Sequence, residues 1–573
     1  MSQIHTVDEP AVPGPRGDDG SPARQQRTAL RHVDVLIWTG VALAGFYYLQ
    51  RQNVPRTFFF DEWSWIVERR TNGINTWLRP HNGHLIALII VIYRILLAVF
   101  GLNHYRPYRF VGLAAHVIVA TLLYRTVRSR HGASIGVAVG ALFLLLGSGW
   151  EVIYQPSAIN NMGPAAAGLL TWLLLTRQSK KGDIAASVAT GAALAFGGLG
   201  IAFMLGTTAR LAVARQWRRL AIVVAPSAIL YLIWYAKFGE RQGTTDNIAR
   251  LPRYVIDEAA SSVSGLAGRD LLWGRVAVGV VVGLLIPPLL AAATGVARRL
   301  RDLPIAAPTS RTALTVGPAV AMLSNWVLVG YARADLGLPA SSRYVYGGAL
   351  FVILTASAVV PAGTSRRAAI AVATACALGV WGNWYPLRVG PVNMRETTAV
   401  LRVELRAIEW AATSVDPGLP IDAARSPGLL AGQYLHARAE LGSAAATDDE
   451  VEVNAASYGT LVDEESLRAG GFAPVALDAS QQCFLEPDVV ASSDVEMEVT
   501  SGGSIIVRAG ASPVEIRLRR YAPVVPASPQ TVIAAGDTAS ITVPTDTARR
   551  QTWDVAVTST GRFDLCPAAD PES

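Results

Sequence analysis

Residues Phe58 to His84 read FFFDEWSWIVERRTNGINTWLRPHNGH, and the chain is best understood outward from them. They follow the first apolar segment of membrane length, so Asp61 and Glu62 fall within a few residues of an expected bilayer surface. A carboxylate is costly in hydrocarbon, so an acidic pair this close to a span is either solvated or functional. Phe58, Phe59, Phe60, Trp63, Trp65 and Trp77 suit a segment lying in the headgroup zone. The remainder of the chain reads as a scaffold holding this loop against the membrane.

Composition supports that frame. Of 573 residues, 51% are hydrophobic and only 16% charged, and the mean hydropathy is +0.33. Soluble domains are nearer a quarter charged, so this is the profile of a membrane protein. The formal charge of +7 does not point to nucleic acid, because the arginines sit in short clusters between apolar runs, as the positive-inside rule expects. Three cysteines are too few for a disulfide framework or a metal cage.

Residues 1–32 are polar and read as a disordered cytoplasmic tail without a cleaved signal. Arg24, Arg27 and Arg31 precede the first span, 33–49, which puts the N-terminus inside and the Asp61 loop, 50–106, outside. The run Leu85–Leu102 is apolar enough to cross, but a crossing would leave Arg125, Arg128, Arg130 and His131 on the wrong side. Arg94 in its middle also argues against lipid exposure. The run is therefore expected to lie along the outer interface, with 107–124 as the second span.

Further spans are expected near 132–148, 162–176, 184–197, 200–214, 220–236, 271–294, 312–330, 344–360 and 368–385. The segment 184–214 is divided at Gly197–Gly200, since a single tilted helix would put Arg210–Arg219 outside. The expectation is a polytopic α-helical membrane protein of about eleven spans, cytoplasmic at its N-terminus and extracytoplasmic at its C-terminus. Two outer loops stand out. Residues 237–270 are long with an amphipathic middle, and 331–343 (YARADLGLPASSR) end at Arg343 and Tyr344. The membrane domain ends at Pro386, and a separate amphipathic helix over Glu396–Ala412 opens a mixed region, 387–490.

From about Val495 the apolar period changes to two: VEMEV, SIIVRA, VEIRLRRY, TVIAAG, SITVP, TWDVAVTS and FDLC. Short strands between Gly, Pro, Ser and Asp predict an extracytoplasmic β-sandwich over 491–573. Cys483 and Cys566 fall in this outer, oxidising region and are expected to pair. Cys376 lies in a span and reads as a small packing residue.

The order of elements resembles the GT-C superfamily of membrane glycosyltransferases, including protein O-mannosyltransferases and aminoarabinose transferases. The residues that carry the resemblance are FFFDEW at 58–63, PHNGHLIALIIVIYRILLAVFG at 80–101 and YRPYRFVGLAAHVIVATLLYRTVRS at 105–129. In those families the counterpart of Leu85–Leu102 is a juxtamembrane helix, in agreement with the charge argument. Where the mannosyltransferase pattern has His-Pro-Pro-Leu, this chain has His81-Asn82-Gly83-His84-Leu85.

The resemblance implies transfer of a sugar from a polyprenyl-phosphate donor to a glycan, lipid or protein acceptor on the outer face of the membrane. A lipid phosphate leaves as a stable anion, so the chemistry requires one base for the acceptor hydroxyl rather than an acid–base pair. Asp61 takes that role in the matched motif. Glu62 either orients the acceptor or helps to hold a divalent cation, the one cofactor the resemblance allows. Arg343, with Tyr344 beside it, is the expected phosphate clamp, since a guanidinium can grip two oxygens, and His81 and His84 are expected at the substrate site.

Plainer readings stand beside each assignment. Asp61 could be an N-cap, His81 and His84 an interfacial turn, and Arg343 a snorkelling anchor. Trp150 and Glu151 read as belt residues, and His116 as packed in the bundle. No phosphate loop or dinucleotide fingerprint stands out, which favours a lipid-linked donor. A flippase of lipid-linked sugars should show mid-span charges in related halves. A non-catalytic envelope assembly protein would leave the Asp61 neighbourhood unexplained.

Overall fold

The computed structural model describes residues 22–52, 57–240, 244–279, 311–363, 365–477, 489–491, 494–526 and 530–567. Most of the tail 1–32, the expected span 271–294 beyond residue 279, the basic linker after Arg298 and Cys483 lie outside the described residues. Among the described residues, six helices are long and apolar enough to cross a membrane, or eight if each of two bent pairs counts as one span. The chain is thus a multi-pass helical membrane protein with a C-terminal β region. The expected total of eleven exceeds what these helices count.

Helix α1 (Pro22–Arg51) precedes the acidic loop, which contains α2 (Asp61–Val67) and α3 (Ile74–Leu78). Helix α4 (Ala87–Phe100) has 14 residues, short of the ~20 that a crossing needs. Ile89, Ile90, Tyr93 and Leu96 are buried, whereas Val91, Ile95 and Val99 are exposed. Arg94 turns back to the loop, donating to the Arg69 carbonyl (3.1 Å) and Asn72 Oδ1 (2.7 Å) and lying 4.3 Å from the Trp77 ring centroid. An arginine in the middle of an apolar helix is accommodated here by polar loop atoms rather than by lipid.

The bundle continues with α5 (Arg106–His131), α6 (Ala133–Leu144), α7 (Trp150–Tyr154), α8 (Ile159–Leu175), α9 (Lys180–Phe196) and α10 (Leu199–Val213). The division of 184–214 falls between α9 and α10, where Gly197 has φ 153°. A Cβ at that glycine would lie 2.7 Å from the Asn160 carbonyl oxygen, so only glycine fits. Then come α11 (Trp217–Val223) and α12 (Ala225–Phe238), bent by 46° from one another. The loop 237–270 is largely helix α13 (Thr245–Leu266), which packs on α14 (Arg311–Arg333) and α15 (Ser342–Val359). His116 is fully buried, with Nδ1 3.0 Å from Tyr346 Oη and Nε2 3.0 Å from the Leu144 carbonyl, so it ties three helices together.

Helix α16 (Arg366–Trp410) corrects the expected break after Pro386: it runs for 45 residues through both Pro386 and Pro391. Proline supplies no N–H to the carbonyl four residues back, which normally ends or kinks a helix. At Pro391 that carbonyl belongs to Leu387, and Tyr154 Oη donates to it instead (3.0 Å). The sequence rule fails because a tertiary donor replaces the missing one. Cys376, on the same helix, is a buried free thiol.

Three short helices, α17 (Ala431–Leu441), α18 (Asp448–Val453) and α19 (Ala455–Ala469), lead into two antiparallel sheets, with nine strands among the described residues. Each of the seven expected segments is a strand, β3 to β9, and β1 (Val475–Ala476) and β2 (Val489–Ala491) extend the first sheet. The sheet orders are β1-β7-β4-β9-β2 and β3-β8-β5-β6. On β5 (Val514–Arg519) the alternate residues Val514, Ile516 and Leu518 are buried, and they share a core with Trp553, as the period of two requires. Cys566 on β9 (Phe563–Pro567) is disulfide-bonded. The sheets dock on α19 through Asp463, whose carboxylate accepts from the backbone N–H groups of Arg520, Tyr521 and Ala522 at 2.8 to 3.0 Å.

Candidate active site

Asp61 is the first helical residue of α2, and no side chain caps this helix. The preceding Phe60 has φ 54°, a left-handed backbone that is uncommon for so bulky a residue. Its N–H is held by the Arg425 carbonyl at 2.8 Å. Downstream, buried Arg69 donates to the carbonyls of Thr76, Arg79 and Pro80 at 2.8 to 2.9 Å, which fixes the loop from the other side. Asn82 (φ 49°) and Gly83 (φ 73°) then form a tight turn in which His81 and His84 exchange both backbone hydrogen bonds at 3.0 Å.

This turn brings His81 back to the acid: His81 Nε2 lies 3.3 Å from Asp61 Oδ2. Burial alone would raise the Asp61 pKa, but His81, Arg343 and Arg333 oppose it, and the net effect holds the carboxyl below its usual value. Asp61 is therefore an ionised carboxylate with a third of its side chain exposed. The ring of His84 sits against the α9–α10 break, where a Cβ on Gly198 would come within 2.7 Å of its Cε1. Burial and the charges of Arg333 and His81 push the His84 pKa down to about 4.

Glu62 goes elsewhere. Adjacent residues on a helix point about 100° apart, so the pair cannot share a face. Glu62 is fully buried and accepts from Tyr93 Oη (2.6 Å), Tyr105 Oη (2.9 Å) and the Phe59 N–H (3.0 Å). Burial outweighs these donors and lifts its pKa to about 7. With both oxygens engaged it is a brace beneath the loop, and it does not face Asp61 to share a cation. Among the described residues no cluster of three or more His, Cys, Asp or Glu could hold a metal.

Asp61 and Arg343 line one cavity of about 290 Å³, together with Glu151, Trp150, Asn160 and Asn161. Its wall is built from helix ends (the start of α2, α7, the start of α8 and the start of α15) and from one side of α16. Arg343 is exposed, with Nε 3.3 Å from Ser341 Oγ and its guanidinium 5.6 Å from the Tyr344 ring centroid. The Ser342 hydroxyl accepts from the Glu151 N–H at 3.0 Å, fastening α7 to this rim. Tyr344, His81 and His84 are close by without lining the cavity.

Two groups were missed by sequence reasoning. Arg333, at the end of α14, is a second cation acting on Asp61. It opens the same loop that Arg343 closes, and that symmetry was the available signal. Glu151, read as a belt residue, puts a second carboxylate in the cavity wall. The arrangement is an ionised acid that shares a hollow of mixed polar and apolar lining with Arg343, with the charge of Arg333 also acting on it. It suits deprotonation of a hydroxyl beside a bound anion.

No family model and no curated protein matches the chain. Among solved structures it is similar to the aminoarabinose transferase ArnT of Cupriavidus metallidurans in the apo state, at 15% identity and a TM-score of 0.38, over 67% of this chain and 81% of that one. The same enzyme bound to undecaprenyl phosphate gives 14% identity and the same TM-score and coverage. The arabinosyltransferase EmbB of Mycobacterium smegmatis matches at 12% identity and a TM-score of 0.28, over 97% of this chain and 66% of that one. Both are GT-C membrane glycosyltransferases, the superfamily that the Asp-Glu loop resembles.

Proposed function

We propose that this protein is a glycosyltransferase that moves a sugar from a polyprenyl-phosphate donor to a glycan, lipid or protein acceptor at the outer face of the membrane. The observation that carries this reading is the single cavity lined by both Asp61 and Arg343. Asp61 accepts the proton of the acceptor hydroxyl, and the hydroxyl oxygen forms the new bond to the anomeric carbon. The bond from that carbon to the phosphate oxygen breaks, and the lipid phosphate leaves as an anion beside Arg343 and Arg333. His81 holds the Asp61 carboxylate ionised and oriented, while Glu62 supports the loop from below.

The N-terminus is on the cytoplasmic side in this reading, and the β module, closed by a Cys483–Cys566 disulfide, is outside. Sugar transfer measured in membranes containing the wild-type chain or Asp61→Asn tests the mechanism. Loss of transfer in a variant that inserts normally is expected, and retained transfer would remove Asp61 as the base.

A further inference from the structure

The end of the bundle opposite the active-site cavity carries a second hollow. Helix α8 starts at the cavity wall, at Asn160 and Asn161, and about 25 Å further on, at 1.5 Å per residue for its 17 residues, it ends at Leu175. Just beyond, a cavity of about 310 Å³ is lined by Gln178, Lys180, Asp183, Gln216, Arg218 and Arg219, among others. Its floor is built: Asp183, 7% exposed, receives Arg219 Nε at 2.9 and 3.1 Å and Nη2 at 2.6 Å. Arg219 also donates to Gln216 Oε1 (2.9 Å) and the Leu175 carbonyl (2.9 Å), which locks the two loops together.

The charge balance around this floor is one-sided. The two loops, 176–183 and 214–219, carry Arg177, Lys180, Lys181, Arg215, Arg218 and Arg219 against one acid, Asp183, and that acid is spent on Arg219. Lys180 and Arg218 both line the hollow, and neither has a side-chain partner among the described residues. Two of the four non-glycine residues with positive φ among the described residues, Gln178 and Arg215, shape these same loops. The hollow lies just beyond the end of α8, a helix apolar and long enough to cross a membrane, which suits a position at a bilayer surface.

We infer that this hollow binds the phosphate headgroup of an anionic phospholipid in the leaflet opposite the active-site cavity, with Lys180 and Arg218 as its cations. Basic pockets between membrane helices take anionic headgroups in this manner, and each cation near the surface contributes several-fold in affinity. The acyl chains would lie against α9 and α11, and the glycerol phosphate would sit over the Asp183–Arg219 floor. The inference goes beyond the proposed transfer reaction and does not depend on it.

The test is native mass spectrometry of the full-length detergent-solubilised protein titrated with phosphatidylglycerol or phosphatidylcholine. The wild-type chain should retain phosphatidylglycerol at least tenfold more tightly than phosphatidylcholine, and Lys180→Gln/Arg218→Gln should lose roughly 30-fold of that affinity. Both side chains are unpaired, so the variant leaves the Asp183–Arg219 floor intact. Arg366→Gln/Arg367→Gln, at the start of α16, removes the same charge elsewhere and should leave retention unchanged. Equal retention by the first variant, equal loss in the second, or displacement of the lipid by millimolar inorganic phosphate would each overturn the inference.

Discussion

Asp61 and His81 stand 3.3 Å apart, Oδ2 to Nε2, across a turn that returns the chain to the start of α2. The imidazole, with Arg343 and Arg333, outweighs the effect of burial and keeps the carboxyl ionised below its usual range. In His81→Ala one opposing influence is gone and burial counts for more, so the Asp61 pKa must rise. The acidic limb of kcat/KM for sugar transfer should therefore move upward, toward or past the ordinary aspartate value of about 3.9. A pH profile of the variant in membranes checks this, and an unmoved limb would separate His81 from Asp61 in function.

Arg343→Ala should raise the KM for the lipid-phosphate donor and lower kcat/KM by roughly 10- to 100-fold, the effect of losing one charge-assisted contact to a phosphate. Arg343→Lys should recover only part of this, because an ammonium lacks the two-pronged grip of a guanidinium. Arg333→Ala should act in the same direction. Donor titrations at fixed acceptor distinguish these outcomes from a general loss of folding.

Glu62 offers a test by stability rather than rate. Burial raises its pKa on folding to about 7 from the ordinary glutamate value of 4.5. The folded protein thus holds the proton more tightly, and this contribution to stability is complete below pH 4.5 and lost as pH rises through 7. Thermal unfolding in nanodiscs across that window should show a decline that Glu62→Gln removes. Tyr93→Phe, which leaves Oε1 of Glu62 without its donor, should cost about 1–2 kcal/mol.

Tyr154→Phe removes the hydroxyl that serves the Leu387 carbonyl at Pro391. An unpartnered buried carbonyl costs about 1–3 kcal/mol, so the variant should have a lower Tm while its isolated active-site groups remain intact. Faster hydrogen exchange confined to α16 around residues 387–391 would locate the effect.

Much of this architecture was legible in the sequence, and the failures have physical causes. That α4 is too short to cross and that loop atoms take up its arginine agree with the reading drawn from Arg94 and the charge rule, and the seven strands followed from the period of two. The Asn82-Gly83 turn carries its own signature, since both residues tolerate positive φ. Glu62 was misjudged because it was read beside Asp61 in the linear chain, whereas helical geometry turns it into the core. The continuity of α16 was hidden because the compensating hydroxyl lies 233 positions away from Leu387. Arg333 and Glu151 sit at helix ends, where cations and acids commonly anchor or solvate; only the charge of Arg333 felt at Asp61 and the place of Glu151 in the cavity wall separate them from such residues.

The unbroken course of α16 has a consequence for reach. At 1.5 Å per residue its 45 residues extend about 67 Å, roughly twice the thickness of a hydrocarbon core of about 30 Å. The second half is therefore a mast standing off the lipid, with the cavity partway up its side and the strand-built module fastened near its top. Any polymer handled by both would be presented at a fixed height and angle, set by one helix rather than by a swinging tether.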